Sequence, residues 1–291
     1  KGGDDLASGN MKDIKRRVKS VESTMQITKA MELVASSKLR KAKQRAEEAR
    51  PFFEAQYELM CKIAGETEGF STVFTRRREI KNRLFIVIAG DRGMAGGYNT
   101  NIIKLVTQAH EKDKVKPKII AIGKKAVDYF TKHGYEVIAE YPGFAETIKT
   151  ADAADISRMA LDMFTEGAVD EIQIFYTQFV SALVQTATQM GIIPVNPPVG
   201  NIVPDNKAGT TYDPSPEAVF NRVIPRLTAS IILCAVNESY ASEQGARRTA
   251  MESATDNAEE MIGTLSLLYN RARQEKITNE LNEIVSGANA L

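Results

Sequence analysis

Apolar positions along this chain follow two different rhythms. At the C-terminal end, from Ser215 to Ala290, they recur at three- and four-residue steps. The series runs Met251, Thr255, Ala258, Ile262, Leu265, Tyr269 and Ala272, then resumes one place over at Ile277, Leu281, Ile284 and Ala288. Ser215-Pro216-Glu217 supplies a start signal, with an N-cap serine and proline at the first helical position. At 1.5 Å per residue such a helix is on the order of 110 Å long. No single small core covers that length, so the helix needs a partner.

The N-terminal stretch supplies one. A helix is expected from Asn10, with Ile14, Val18, Val21 and Met25 in a heptad seam. Strict heptads would continue through Thr28 and Glu32, but apolar Ile27, Met31 and Val34 lie beside them. The stripe is therefore expected to drift there and to return at Ala35, Leu39, Ala42, Ala46, Ala49 and Phe53. Pro51 is expected to kink or break this helix, which ends near Gly65.

Between the two helical stretches the rhythm changes. Leu84–Ala89 and Lys118–Ile122 are short continuous apolar runs that suit buried strands, and Glu136–Glu140 is a weaker third. Helical patterns fall at Thr100–Lys112, Lys124–His133 and Asp152–Glu166, the last capped near Thr150 or Asp152. Glu171–Tyr176 alternates like a half-buried strand, and Leu183–Met190 is placed to return beside it. Strand alternating with helix predicts a mainly parallel sheet. Residues 193–214 hold five prolines and read as an irregular connector.

The fold expected is thus mixed α+β and α/β: a long antiparallel coiled coil of N- and C-terminal helices with an inserted Rossmann-like α/β domain. The boundaries expected are a disordered extension at 1–10, the first coiled-coil helix at 11–68, the α/β domain and connector at 69–213, and the second helix at 214–291.

Charge sharpens the pairing. Net charge is only +1, so no global field favours nucleic acid or a membrane surface. From Lys12 to Arg50, however, twelve Lys or Arg stand against five Asp or Glu, whereas 214–291 holds seven basic and ten acidic residues. The two helices attract each other, weakly at each exposed pair. Cys61 and Cys234 read as two buried free thiols rather than a disulfide. His110 and His133 stand alone, so no metal-ligand spacing exists. The longest strongly apolar run, Ile231–Val236, is too short to cross a bilayer, and no signal peptide is read.

Candidate chemistry is sparse. Gly90-Asp91-Arg92-Gly93-Met94-Ala95-Gly96-Gly97-Tyr98-Asn99 follows the first strand and opens a helix, where a phosphate can be held. It has neither the Gly-x-Gly-x-x-Gly spacing nor a Gly-Lys-Ser/Thr ending, so a tight strand-to-helix turn is the favoured reading. The alternative function is a nucleotide- or phosphate-binding α/β module on a coiled-coil tether. The basic first helix lacks interleaved aromatics and reads as a solvated or protein-facing surface rather than a nucleic-acid site. Around Gly245, polar Gln244, Arg247 and Arg248 are poor seam material, as is Arg271–Glu283. Both blocks suit a contact face turned outward to a surrounding partner. No Ser/His/Asp, Cys/His or paired-carboxylate arrangement can be assembled, so no catalytic residue, cofactor or metal is expected.

These same residues resemble the gamma-subunit family of F-type ATP synthases over Met11–Leu291. The resemblance rests on Ile27–Ala35 with Ser37-Lys38-Leu39-Arg40, on the Asp91-Arg92-Gly93-x-x-Gly96-Gly97 loop, on Ala241–Met251 with Ser253–Ala258, and on Tyr269–Gln274 with Ile277–Val285. It implies a noncatalytic rotor shaft that couples ion-driven rotation of a membrane c-ring to nucleotide chemistry on beta subunits. Alpha and beta subunits would surround the paired helices. The epsilon subunit and the c-ring would contact the α/β domain, at the cytoplasmic face of a bacterial membrane. By the same resemblance Met31, Gln244 and Arg247 meet the beta subunits. Gln274, Thr278 and Glu280 serve coupling and communicate with the Met31 region, and Arg273 lies in the bearing at the tip. Ala95 stands where many members have cysteine. No inserted segment with a close cysteine pair is present, so thiol switching is not expected and the short bacterial form fits.

Overall fold

The computed structural model describes residues 2–66, 71–113, 115–195 and 211–288. Helix α1 spans Gly2–Glu66. It is followed by β1 (Arg83–Ile88), α2 (Tyr98–Asp113), β2 (Lys118–Ile122), α3 (Lys124–Lys132) and β3 (Glu136–Tyr141). Helix α4 (Thr150–Thr165), β4 (Glu171–Phe179), β5 (Gln185–Ile193) and α5 (Pro216–Ala288) complete the chain. Every strand and helix expected from the pattern is present, most within two residues of its expected bounds; β4 and β5 extend three further. The chain divides into two compact units, one of residues 1–34 and 248–291, the other of residues 35–247. The lower half of α1 and the first half of α5 thus belong with the sheet. The connector expected at 193–214 lies mostly outside the described residues.

In the larger unit the strands run in the order β3-β2-β1-β4-β5. The first four are parallel, and β5 returns antiparallel beside β4. Alternation along β1 sorts the core into two layers. Phe85, Val87 and Ala89 pack with Ile102 and Val106 of α2 and Ala126 and Phe130 of α3. Leu84, Ile86 and Ile88 face the other way, in one cluster with Ile156 and Phe164 of α4, Leu39 and Met60 of α1, and Phe220, Ile232 and Val236 of α5. Here α5 is a core helix. By length and composition α5 is also apolar enough to cross a membrane, yet half of its most apolar window is buried inside the protein.

Local chemistry sets the helix starts. Ser215 Oγ accepts the Ala218 N–H at 3.2 Å, capping α5 as its sequence predicts. At α4 the Lys149 N–H donates to Asp152 Oδ2 at 2.8 Å, the carboxylate half of a capping box. Two expectations fail at α1. The helix starts at Gly2, where a disordered extension and an Asn10 cap are expected. Of the kink or break expected at Pro51, the break does not occur, and the helix runs on through it. Pro51 and Glu47, whose carbonyl loses its helical donor, are both exposed, so water can take the place of the missing N–H.

The seam is straighter than the apolar pattern suggests. In the smaller unit Thr28 is buried and Glu32 half-buried, while Ile27 and Val34 are exposed. Thr28 Oγ1 lies 2.8 Å from Thr255 Oγ1, and Thr255 Oγ1 also donates to the Met251 carbonyl. Thr28 Oγ1 likewise donates to the Met25 carbonyl; two small hydroxyls in contact, each tied to its own helix, fit where two helices approach closely, and a strict heptad keeps them there. On α5 the half-buried stripe likewise continues through Tyr269, Ala272 and Lys276. The shifted set Ile277, Leu281 and Ile284 is exposed.

Candidate functional site

Doubly wound sheets bind ligands at the carboxyl ends of the strands, where the order of connections reverses. Here that point lies between β1 and β4, with the glycine-rich loop at its rim. Helix α5 fills it. Pairing of β4 with β1 ends at Val87–Phe175, so the main chain of Thr177 has no strand on that side. Two serines take its place: the Thr177 N–H donates to Ser239 Oγ at 3.0 Å, and Ser242 Oγ donates to the Thr177 carbonyl at 3.1 Å.

One turn further, Glu243 and Arg247 stand four residues apart on the same face. Arg247 Nη2 donates to Glu243 Oε1 at 2.6 Å and to the Gly93 carbonyl at 3.3 Å. The pair is nearly buried, with side chains 6% and 10% exposed for Glu243 and Arg247. A Cβ on Gly90 would come within 3.0 Å of the Glu243 carboxyl, so glycine there lets the helix close onto the loop. Burial pushes the Glu243 carboxyl above the ordinary range, and the Arg247 guanidinium opposes that rise. Beneath them the buried Tyr98 hydroxyl is pushed well up, by burial first and then by the Glu243 charge.

The Asp91 and Asn99 side chains of the glycine-rich loop are equally engaged. Asp91 Oδ1 accepts the Lys124 N–H at 2.9 Å and the Gly143 N–H at 2.7 Å, joining the loop to the start of α3 and to the turn after β3. Asn99 Oδ1 accepts the Gly90 N–H at 2.8 Å, and Asn99 Nδ2 donates to the Arg92 carbonyl. Gly123, at φ +91°, sits so close to β1 that a Cβ would fall 2.0 Å from the Ala89 carbonyl oxygen. A cavity of 470 Å³ opens between this loop and α3, beside Lys125, Lys132 and His133. The first N–H of α3, however, already has its anion in Asp91. At that helix start the loop supplies a carboxylate in the place a phosphate would take. Among the described residues no group of three or more His, Cys, Asp and Glu is arranged to hold a metal ion. Both cysteines are free, Cys61 buried and Cys234 half-buried. His110 is half-buried with Nδ1 3.1 Å from the Val115 carbonyl, and His133 is exposed and stacked on Tyr129.

The contact residues expected from sequence part into two groups. Gln244 and Arg247, expected to face outward, are 4% and 9% exposed within the larger unit. The cause is the β4–β5 hairpin: Gln185 Nε2 and the Ala182 carbonyl come within 3.5 Å of a Cβ placed on Gly245. In the smaller unit Met31 is half-buried, and Arg273, Gln274, Thr278 and Glu280 are exposed as expected. Thr278 Oγ1 bonds only to its own helix, at the Gln274 carbonyl. Glu280 pairs loosely with Lys276 at 3.6 Å. Met31 lies one turn from Thr28, which meets Thr255. Gln274 stands nineteen residues further along α5, about 28 Å at helical rise. Sequence reading missed Glu243, Ser239, Ser242 and Tyr98; the i,i+4 spacing of Glu243 and Arg247 was the one signal available.

Comparison with known proteins agrees with a stalk rather than a nucleotide site. A family model described as ATP synthase matches residues 10–291. The ATP synthase gamma chain of Ruminococcus albus is 50% identical over 284 residues, covering 96% of this chain and 98% of its own. The sodium-ion-specific gamma chain of Acetobacterium woodii is 42% identical, covering 97% of this chain and 99% of its own. A chain from the mitochondrial ATP synthase of Euglena gracilis shares the fold at TM-score 0.69 and 20% identity, over 97% of this chain and 95% of its own. With a family match over residues 10–291 and full-length similarity of this strength, the chain belongs to the ATP synthase gamma-chain family, the noncatalytic central stalk of the complex.

Proposed function

We propose that the chain acts as a cam, with the sheet as its mount and the paired ends of α1 and α5 as its working surface. The observation that carries this is the crossing of α5 through the β1/β4 switch point. An element that elsewhere binds nucleotide is here bolted to the shaft helix by Glu243, Arg247 and the two serines. Torque applied to the Rossmann-like domain passes into α5 through that buried contact.

In this reading the N- and C-terminal helices form an antiparallel coiled coil, supported by the heptad stripe and the Thr28–Thr255 hydroxyl pair. Alpha and beta subunits surround it. Met31, Arg273, Gln274, Thr278 and Glu280 contact the surrounding subunits, while Gln244 and Arg247 act from within, by holding the helix to its mount. The epsilon subunit and the c-ring engage the α/β domain at the cytoplasmic face of the membrane. Rotation changes which face each beta subunit meets, and differential contact shifts its affinity for nucleotide.

Co-purification of the tagged chain with alpha and beta subunits tests the assembly. In the assembled complex Met31→Lys is expected to leave ATP hydrolysis largely present and to impair ion pumping; unchanged pumping would remove Met31 from the coupling surface. Calorimetry with ATP on the isolated chain is expected to show no micromolar binding, and such binding would sink the shaft-only reading.

A further inference from the structure

The sheet has two open edges, and they are unlike. At one edge β3 is six residues long and carries exposed Glu136 and Glu140, with Lys118 of β2 3.4 Å from Glu136. Charges of this kind discourage pairing with another strand. At the other edge β5 runs nine residues, Gln185–Ile193, with no charge and no proline. Residues 172–204 contain no Asp, Glu, Lys, Arg or His, in a chain that is 26% charged. Nothing in β5 itself protects its edge.

The hydrogen-bond phase of that edge follows from its neighbour. Thr177 of β4 turns both main-chain groups toward α5, where Ser239 and Ser242 take them. Its partner across the antiparallel ladder is Ala187. The pair is therefore non-hydrogen-bonded, and the N–H and C=O of Ala187 point away from the sheet. With a period of two, Gln185 and Gln189 present theirs to the same side. Among the described residues no main-chain group pairs with them. At the adjoining hairpin tip Val180, Leu183 and Val184 are exposed, Leu183 by 78%.

We propose that this edge is an interface strand: an extended, uncharged segment of a neighbouring stalk subunit adds to β5 as a sixth strand, bonds to Gln185, Ala187 and Gln189, and covers the apolar tip. The inference rests on the stalk reading above. That reading also selects the occupant, because the solved structures with this fold are parts of central-stalk and rotor assemblies, where gamma has neighbouring subunits. The absence of charge over the whole segment selects its chemistry, since a charged strand laid along this edge would lose hydration and find no counter-ion.

Hydrogen exchange tests it, comparing the purified chain with the assembled ATP synthase that contains it. The amides of Gln185, Ala187 and Gln189 are expected to exchange freely in the isolated chain and to slow at least about 100-fold in the complex. Those of Thr186 and Thr188, which donate inward, stay protected in both. Ala187→Pro removes one outward donor without touching the inner ladder, and Thr186→Lys places a charge on the exposed edge. Each is expected to weaken retention of the neighbouring stalk subunit at least about tenfold by pull-down, with alpha and beta subunits still bound. Equal exchange in both states, or full retention in folded T186K, overturns the proposal. Protection that appears in the isolated chain with rising concentration, alongside a dimer by sedimentation, overturns it in favour of a second copy. Loss of alpha and beta subunits from wild-type pull-downs would instead strike the stalk reading, and this inference with it.

Discussion

Two polar blocks on helix α5 look alike in sequence and have opposite fates. Glu243-Gln244-Gly245-Ala246-Arg247 is buried against the sheet, with a 2.6 Å ion pair at its centre. Arg273, Gln274, Thr278 and Glu280 are exposed, and the bonds of Thr278 and Glu280 stay on their own helix. The difference lies in what each meets. The first block crosses the end of β1 and the β4–β5 hairpin, whose main-chain groups and loop carbonyl need polar partners. Among the described residues the second meets no such neighbour, which leaves its groups open to another protein. A polar helical face is thus either an internal fastening or a contact surface, and composition does not distinguish them.

The strongest way to break this contrast is at Arg247. Arg247→Met leaves the Glu243 carboxylate buried without its cation, and is expected to cost about 3–5 kcal/mol in urea unfolding. Glu243→Met combined with Arg247→Met removes both charges and should recover most of that loss. The single variant should also respond to pH. The Glu243 carboxyl is already raised by burial, and without the guanidinium that opposes this it rises further. A carboxyl whose folded pKa exceeds its unfolded one favours the folded state at low pH, and that advantage is lost as pH rises through the folded value. R247M should therefore be more stable near pH 5 than near pH 8. A flat profile would mean that Glu243 is not confined as described.

A smaller effect is expected in the seam. Thr28→Val leaves the Thr255 hydroxyl only the Met251 carbonyl of its own helix and should cost up to about 1 kcal/mol, whereas Thr28→Val with Thr255→Val should be close to neutral in thermal melts. Weaker still is the tie between α1 and the loop after β3. There Lys38 Nζ donates to both Glu146 oxygens, at 2.7 and 2.8 Å, and this holds the carboxyl below its ordinary range. Its contribution is present above the unfolded pKa and fades as pH falls through the folded one. Both groups are partly exposed, so Lys38→Met should cost no more than about 1 kcal/mol at pH 7, with the difference from wild type vanishing in acid. Least of all, Gln274→Ala and Glu280→Ala should change stability by under about 0.5 kcal/mol. In the assembled complex both are expected to reduce ATP-driven ion pumping. A large loss of stability in either would erase the contrast between the two blocks.

Periodicity alone located every strand and the long helices, because a period of two or of three and a half is a local property of the chain. It misplaced the seam in two places. Thr28 and Lys276 occupy positions that an apolar count assigns to Ile27 and Ile277, since close helix approach favours small or long flexible side chains over bulk. Pro51 does not break α1, because the carbonyl it frees belongs to exposed Glu47, where water can reach it.

What the sequence by itself determined is the order of elements, the excess of basic residues on one helix over the other, the uncharged stretch at 172–204, and the family. What only the tertiary structure decided is which polar residues are fastenings. Thr177 needs Ser239 and Ser242 because β1 stops two residues short of it, and Gly93 meets Arg247 because α5 crosses there. These contacts join residues 62 to 154 positions apart. Local pattern cannot encode them, because a buried polar group is satisfied by whatever the fold brings beside it.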